Sequence, residues 1–589
     1  MQEFHHRLWT FFGSHPYSQD GQDGYRFRVW APHAVRVCIV GDFNSWDNES
    51  LPMEHIGNGI WELFVPYANQ YSTYKYAVYT SDGKILEKAD PYAFHAETRP
   101  GTASKCYDLS GYVWNDEGWL AQRAKRSLIH SPLNIYELHL GSWRRNREGN
   151  FLSYHETTQW LIPYMKELGF THVKLFPITE HPLDASLGYQ CTGYFAPTSR
   201  FGTPHDFKDL INELHKAGIG ILLDWVPTHF SKDDFGLQEF DGSPLYECAL
   251  QPSSDTCCSD FSNPNVCDFL ISSALFWLEE YHVDGLHIQL PSGSEHDVFL
   301  QQLLSEICTH HSDALMLTDT PIPSAQFNNH LICQNNRVQQ VLRYTATDPY
   351  FRQHNHRELT GFMPNTESSP FILPLSHETI TTSDQSLLSS IHGSIEDKFS
   401  CLKALYIYML TLPGKKLLMM GNEFGQRAKW NFDYSLDWHL LDLQNEDGIR
   451  HRQLHTFFKA ANNLYLKSPA LWKQDFTAKG FRWLCCDDAE GNIVSFLRFD
   501  QKGAPLLVSI NFSPVHRTQY RIGIPHGGYY EEIFNTDQAD YGGTGRLNAP
   551  VKSETIPCHE MDHSLSVNLP PLGAVIFNCS QKLPSKNQN

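Results

Sequence analysis

GIGILLDWVPTHF, residues 218 to 230, is an apolar run that ends abruptly on Asp224 and Trp225 and is stopped by Pro227. A short run with no polar alternation reads as a strand buried on both faces, the condition of strands in a parallel sheet. It is preceded by FKDLINELHKAG (Phe207 to Gly218), whose apolar residues recur with a helical period. Outward from this unit the same kind of run recurs, before it in NIYELHL (134 to 140) and THVKLFP (171 to 177), and after it in VDGLHIQL (283 to 290), ALMLTD (314 to 319), HLICQ (330 to 334), FILPLSH (371 to 377) and KKLLMMG (415 to 421). FLISSALFWLEEY (269 to 281) supplies a second helical period between runs. Eight runs alternating with helices predict an α/β chain built on a (β/α)8 barrel, with HLICQ as its weakest strand.

The flanks have a different rhythm. Residues 25 to 110 alternate apolar and polar positions, as in YRFRVW (25 to 30) and RVCIV (36 to 40), and predict a small antiparallel β-sandwich. After a helical stretch near His451 to Tyr465, strand-like runs return in NIVSFLRF (492 to 499), PLLVSINF (505 to 512) and GAVIFNC (573 to 579). The expected limits are 1–118 for the N-terminal module, 119–467 for the barrel, 468–580 for a C-terminal β-sandwich and 581–589 for a polar tail.

A chain of 589 residues is too long for one hydrophobic core, which agrees with several domains. The net charge of −20 repels phosphate backbones and anionic lipid, so neither nucleic acid nor a membrane is an expected partner. No stretch of eighteen apolar residues occurs, and the start MQEFHHRLWTFFGSHPYSQ lacks a basic region followed by an apolar one. A cytoplasmic protein is expected, with its 14 scattered cysteines as reduced thiols. The 31 histidines include no HExxH or comparable ligand spacing, so no metal site is expected.

Barrel enzymes keep their chemistry at the C-terminal ends of the strands. DWVPTHF therefore places Asp224 and His229 at the barrel mouth, with Trp225 packed behind them. Alone, an Asp and a His in such a place serve equally well to cap a helix or tie loops.

Further strand ends sharpen the reading. YELHLGSWRR (136 to 145), EHP (180 to 182), GYQCTGYFAPTSRFGTPHDF (188 to 207), DWVPTHF, LPLSH (373 to 377), GNEFGQ (421 to 426) and SLDWHLL (435 to 441) together closely resemble the glycogen branching enzymes of the alpha-amylase superfamily. RVWAPHA (28 to 34) and GDFNSW (41 to 46) resemble that family's immunoglobulin-like glucan-binding module, and FNTDQADYGG (534 to 543) with LPPLGAVIF (569 to 577) its C-terminal sandwich. The resemblance implies retaining transglycosylation, in which an α-1,4 link is cut through a covalent glycosyl ester and the piece is re-attached at a 6-hydroxyl. Two carboxyls about 5 to 5.5 Å apart serve as nucleophile and acid. The family chemistry needs only carboxyl groups, so no cofactor is implied.

Carried over by motif, the nucleophile position is Gln289, where DGLHIQL stands for the family's DGLRVDA. The general-acid position is Asp319, in ALMLTDTPIP for a pattern resembling LMIAEDST, and the third carboxylate is Glu378, in SHETI for SHDEV. An amide cannot form a stable glycosyl ester or stabilise an oxocarbenium ion by charge. His287 replaces the family's arginine, a change that fits the loss of the carboxylate at 289, since an arginine left without its partner is an uncompensated buried charge. Tyr189, Asp224, His229, His287 and His377 match residues that hold the sugar. The family's long aromatic loop after the fourth strand is absent, because PSGSEHD (291 to 297) runs almost directly into VFLQQLLSEI, and CQNNRVQQV (333 to 341) lacks the family's tryptophan. In the N-terminal module Trp30, Trp46 and Trp61 serve either core packing or sugar stacking.

The expectation is a branching-enzyme homologue without branching activity that binds alpha-glucan and acts beside other glycogen enzymes. Two alternatives stay open: an active enzyme in which Glu295 or Asp297 supplies the missing carboxylate, and a structural partner with no sugar affinity.

Overall fold

The computed structural model describes residues 6–248, 255–291, 293–319, 331–335, 337–361, 370–380, 384–503 and 505–580. The expected polar tail and residues 320–323 of the ALMLTDTPIP stretch lie outside the described residues. Each of the eight apolar runs forms a strand: β1 (Asn134–Leu138), β2 (His172–Leu175), β3 (Gly220–Trp225), β4 (Gly285–Ile288), β5 (Leu315–Thr318), β6 (Leu331–Gln334), β7 (Phe371–Leu375) and β8 (Lys415–Met419). They close a barrel in chain order. Every residue of β3, β4, β5, β7 and β8 is buried, which is why these runs show no polar alternation. The run expected as the weakest, HLICQ, forms β6 and pairs with β7 through Cys333 opposite Phe371 and Gln334 opposite Ile372.

The helical periods also appear as expected. Helix α1 (Pro204–Lys216) opens on a capping box, Thr203 with Asp206, and ends before Gly218, whose φ of 79° is open to glycine at little cost. Helix α2 (Pro264–Glu280) is capped by Asn263 and buries residues around its whole circumference. Helices α3 (Ser294–His310), α4 (Ile395–Thr411) and α5 (Glu446–Lys467) follow.

The chain divides into two compact units. The first takes residues 1–125, 139–162 and 173–331. Its N-terminal part is a two-sheet β domain, with Gly13–Gln19, Gln22–Trp30, Ile60–Val65 and Glu54–Gly57 in one sheet and Arg36–Gly41, Thr73–Tyr79, Ser104–Lys105 and His95–Ala96 in the other. Trp30 and Trp61 are buried there, and the Trp61 indole donates to Ala31 O at 3.0 Å, so both are core residues. Trp46 is 39% exposed, the most open of the three. The domain rests on α2: Trp9 meets Phe276 edge-on, Phe94 stacks on Phe276 and Tyr92 meets Phe269. This explains a helix that is apolar all round, since it has a protein neighbour on each side. Within this unit β4 pairs with both β3 and β5, and a Cβ on Gly285 would sit 1.8 Å from Leu315 O, so no larger residue fits.

The second unit takes residues 126–138, 163–172 and 332–589. Its C-terminal part is a six-stranded sheet over a two-stranded one, closed on a core that includes Ile493, Leu507, Ile522, Leu565 and Phe577. Lys415 of β8 and Arg498 both reach Asp475, at 3.1 and 2.6 Å, with all three side chains fully buried. One carboxylate between two cations fixes the terminal sheet to the strand by geometry more than by net energy. All fourteen cysteines are free thiols, and among the described residues no helix is long and apolar enough to cross a membrane.

Candidate functional site

Strand register places the central pair. Asp224 of β3 lies directly opposite His287 of β4, and neighbours in a parallel ladder share a face. His287 Nδ1 is 2.5 Å from Asp224 Oδ1, and its Nε2 is 2.9 Å from Asp319 Oδ1, just beyond the end of β5. Lys174, on β2, reaches the same Asp224 oxygen at 2.9 Å, and the Tyr189 hydroxyl donates to Asp224 Oδ2 at 2.9 Å. The side chains of Asp224 and His287 are wholly buried and that of Lys174 is 1% exposed, while Asp319 is partly open to solvent.

Both ring nitrogens of His287 lie within hydrogen-bond distance of carboxylate oxygens, and Nδ1 also lies 3.1 Å from Lys174 Nζ; donation to both carboxylates is the bonding of an imidazolium. Burial and the neighbouring Lys174 press its pKa down, but the charge of Asp224 and the hydrogen bonds to Asp224 and Asp319 outweigh them and hold it up at about 9. His287 therefore places a cation between two carboxylates, Asp224 and Asp319. Two cations and two carboxylates sum to zero, and Asp319 spends one oxygen accepting the His287 proton.

The raised pKa fixes a pH dependence. The His287 contribution to stability is complete below its unfolded pKa near 6.5 and is lost as pH rises through about 9, a difference of about 3 kcal/mol. The gap in unfolding free energy between the protein and its His287→Gln variant, measured by urea denaturation, is expected to be widest at pH 6 and to narrow by about 3 kcal/mol at pH 10. A gap that does not change with pH contradicts the imidazolium.

Gln289 follows β4 by one residue and is half-buried, and its backbone N–H donates to Trp225 O at 3.2 Å. Trp225 packs behind the site, buried, with its indole donating to Ser273 Oγ. His229 begins the strand His229–Ser231, and burial lowers its pKa against an opposing hydrogen bond with the Tyr189 backbone. Asp319, Asp224, His287 and Tyr189 are thus brought into one network. His377 and Glu378 belong to the second unit. There the His377 backbone N–H donates to Glu137 Oε2 at 2.6 Å and its Nδ1 lies 3.1 Å from Oε1, while Glu378 is exposed on the single turn His377–Ile380. Glu295 and Asp297 sit exposed in the first turn of α3.

Two members of these networks escape a reading of the sequence, Lys174 and Glu137. Each interrupts an otherwise apolar strand, THVKLFP and NIYELHL, and a charge in a strand buried on both faces requires a buried partner. That interruption is the usable signal, although it does not name the partner.

Comparison with known proteins follows the same division of the chain. Carbohydrate-binding module 48 (isoamylase N-terminal domain) matches residues 11–93, the alpha-amylase catalytic domain residues 158–244 and the alpha-amylase C-terminal all-beta domain residues 483–580. Among solved structures, a pullulanase complexed with maltotetraose from Anoxybacillus superposes with a TM-score of 0.73 at 16% identity, over 98% of this chain and 89% of that one. The pullulanase from Bacillus acidopullulyticus gives 0.70 at 18% identity, over 96% and 74%. At such identities the likeness is one of fold. The sequence relatives are nearer: the 1,4-alpha-glucan branching enzyme GlgB of Methylobacillus flagellatus is 40% identical over 96% of this chain and 83% of its own length. That of Bacillus mycoides is also 40% identical, over 98% of this chain and 94% of its own length, and on this likeness the chain belongs to the 1,4-alpha-glucan branching enzyme family.

Proposed function

We propose that this member of the family binds alpha-glucan without branching it, in a cytoplasmic setting beside active enzymes of glycogen metabolism. The reading is supported by the motif DGLHIQL, whose resemblance to the family pattern assigns the neutral amide of Gln289 to the nucleophile position, and by ions already closed on one another: Lys174 and His287 on Asp224, and His287 on Asp319. Covalent catalysis needs a carboxylate to form the glycosyl ester, and an amide supplies neither the bond nor the charge. In this reading Gln289, Asp319 and Glu378 hold the positions of nucleophile, acid and third carboxylate, and Tyr189, Asp224, His229, His287 and His377 those of the sugar-holding residues. The domain limits 1–118, 119–467 and 468–580 belong to the same proposal.

Retained glucan affinity is supported by the carbohydrate-binding module match over residues 11–93 and by the exposed ring of Trp46. The expected result is co-sedimentation of the purified protein with glycogen, displaced by added maltoheptaose. A protein that stays in the supernatant at every glycogen concentration supports the structural partner instead. Rescue by Glu295 or Asp297 is disfavoured because both sit on a formed helical turn and face solvent.

A further inference from the structure

Two thiols stand opposite each other in the first unit, just beyond the end of β3. The short strand Thr256–Cys258 has a partner along each edge. On one edge it pairs antiparallel with His229–Ser231, and His229 lies opposite Cys258. On the other, Glu247 is bridged antiparallel to Ser259, the Cys248 N–H donates to Cys258 O at 3.0 Å, and the Asp260 N–H donates to Tyr246 O at 3.0 Å. One step along the chain from Glu247 and from Ser259 sets Cys248 directly opposite Cys258. Residues so placed carry their side chains on one face, with Cα and Cβ spacings of about 4.5–5.5 Å. The Cα spacing is one that a disulfide spans, and about 1 Å of closure brings the Cβ atoms to bonding geometry. Both thiols are free and partly open to solvent. Cys257 is buried and, as the next residue along the strand, points to the opposite face.

Access to solvent and a facing second thiol are what let a cysteine be oxidised reversibly instead of being driven on to sulfinic acid. Burial, with the charges of Asp260, Cys258 and Glu295, raises the pKa of Cys248, so little of it is thiolate at neutral pH. That suits it to the second of two attacks, which is intramolecular and tolerates a small thiolate fraction. In the first, the Cys258 thiolate attacks one oxygen of hydrogen peroxide, the O–O bond breaks, and a sulfenic acid and one water result. In the second, the Cys248 sulfur attacks the Cys258 sulfur, the S–O bond breaks, a second water leaves and the S–S bond forms. The two thiols together lose two electrons, the peroxide gains them, and the two waters carry off both thiol protons. The bond fastens covalently a ladder whose other edge holds His229.

We propose that Cys248 and Cys258 are an oxidation site for hydrogen peroxide, closing reversibly to a cross-strand disulfide beyond the end of β3. The proposal concerns thiol chemistry and stands whether or not the chain binds glucan. To test it, the full chain is treated with a few equivalents of hydrogen peroxide, the remaining thiols are alkylated, and the chain is cut on the N-terminal side of its aspartates. The cuts before Asp241, Asp255 and Asp260 place Cys248 in peptide 241–254 and Cys258 in peptide 255–259. Mass spectrometry is expected to find these two peptides joined, lighter by two hydrogens than their sum, and parted again by dithiothreitol. Cys248→Ser and Cys258→Ser are each expected to abolish the joined species, and Cys257→Ser to leave it at the parent's level. The mapping of the parent chain needs no variant and decides the matter if a serine variant fails to fold. Cys248 and Cys258 still fully alkylated when the exposed Cys486 is already oxidised, or a joined species that persists in Cys258→Ser, overturns the proposal.

Discussion

Gln289→Asp, Asp319→Glu and Glu378→Asp made together are expected to give a protein that branches amylose at a rate about 10³-fold above the assay background at which the parent chain stays, while Gln289→Asp alone gains little. The reason lies in how the positions work. A nucleophile without a positioned acid leaves the departing sugar oxygen unprotonated, and an acid without a nucleophile has no ester to resolve, so their effects do not add. With only Gln289 changed, Asp319 still accepts from His287 Nε2, and under the proposed assignment its carboxyl is one methylene shorter than the family's glutamate. Branching is read as new α-1,6 links after enzymatic debranching and chain-length analysis. A triple variant that melts like the parent and stays silent contradicts the assignment of the deficit to these three positions.

Asp224→Ala is expected to lower the unfolding free energy by about 3–5 kcal/mol. It removes the carboxylate shared by Lys174 and His287 and leaves two buried cations side by side, with Tyr189 deprived of its acceptor. His287 then loses the Asp224 charge and hydrogen bond that, with Asp319, hold its pKa up, so the variant's fall in stability between pH 6.5 and 9 is expected to be smaller than the parent's. Asp224→Asn keeps the shape and the bond from Tyr189 and is expected to cost roughly half as much. A loss under about 1 kcal/mol, as for an exposed ion pair, contradicts the buried network.

Much of the fold is legible in the sequence because its signals are local. The eight barrel strands follow from short, largely apolar runs that alternate with helical periods, and the capping boxes at Thr203 and Ser394 mark helix starts within four residues. HLICQ is weak because it is short, and closure of the barrel is what secures it. The site is only half legible. Motif position singles out Asp224, His287 and Asp319 as candidates, but their bonding depends on register between strands more than sixty residues apart, as in the pairing of Asp224 with His287. Lys174 escapes for the same reason: a single lysine in an apolar run announces a partner, and only the fold supplies Asp224. In the N-terminal domain, alternation treats Trp30, Trp46 and Trp61 alike, and burial separates them.

The central claim is that the amide at Gln289 leaves this family member without branching chemistry, and purified protein incubated with amylose tests it most directly. No increase in α-1,6 links over a protein-free control is the predicted result. A time-dependent rise that follows protein concentration would contradict the account and require a nucleophile elsewhere in the chain.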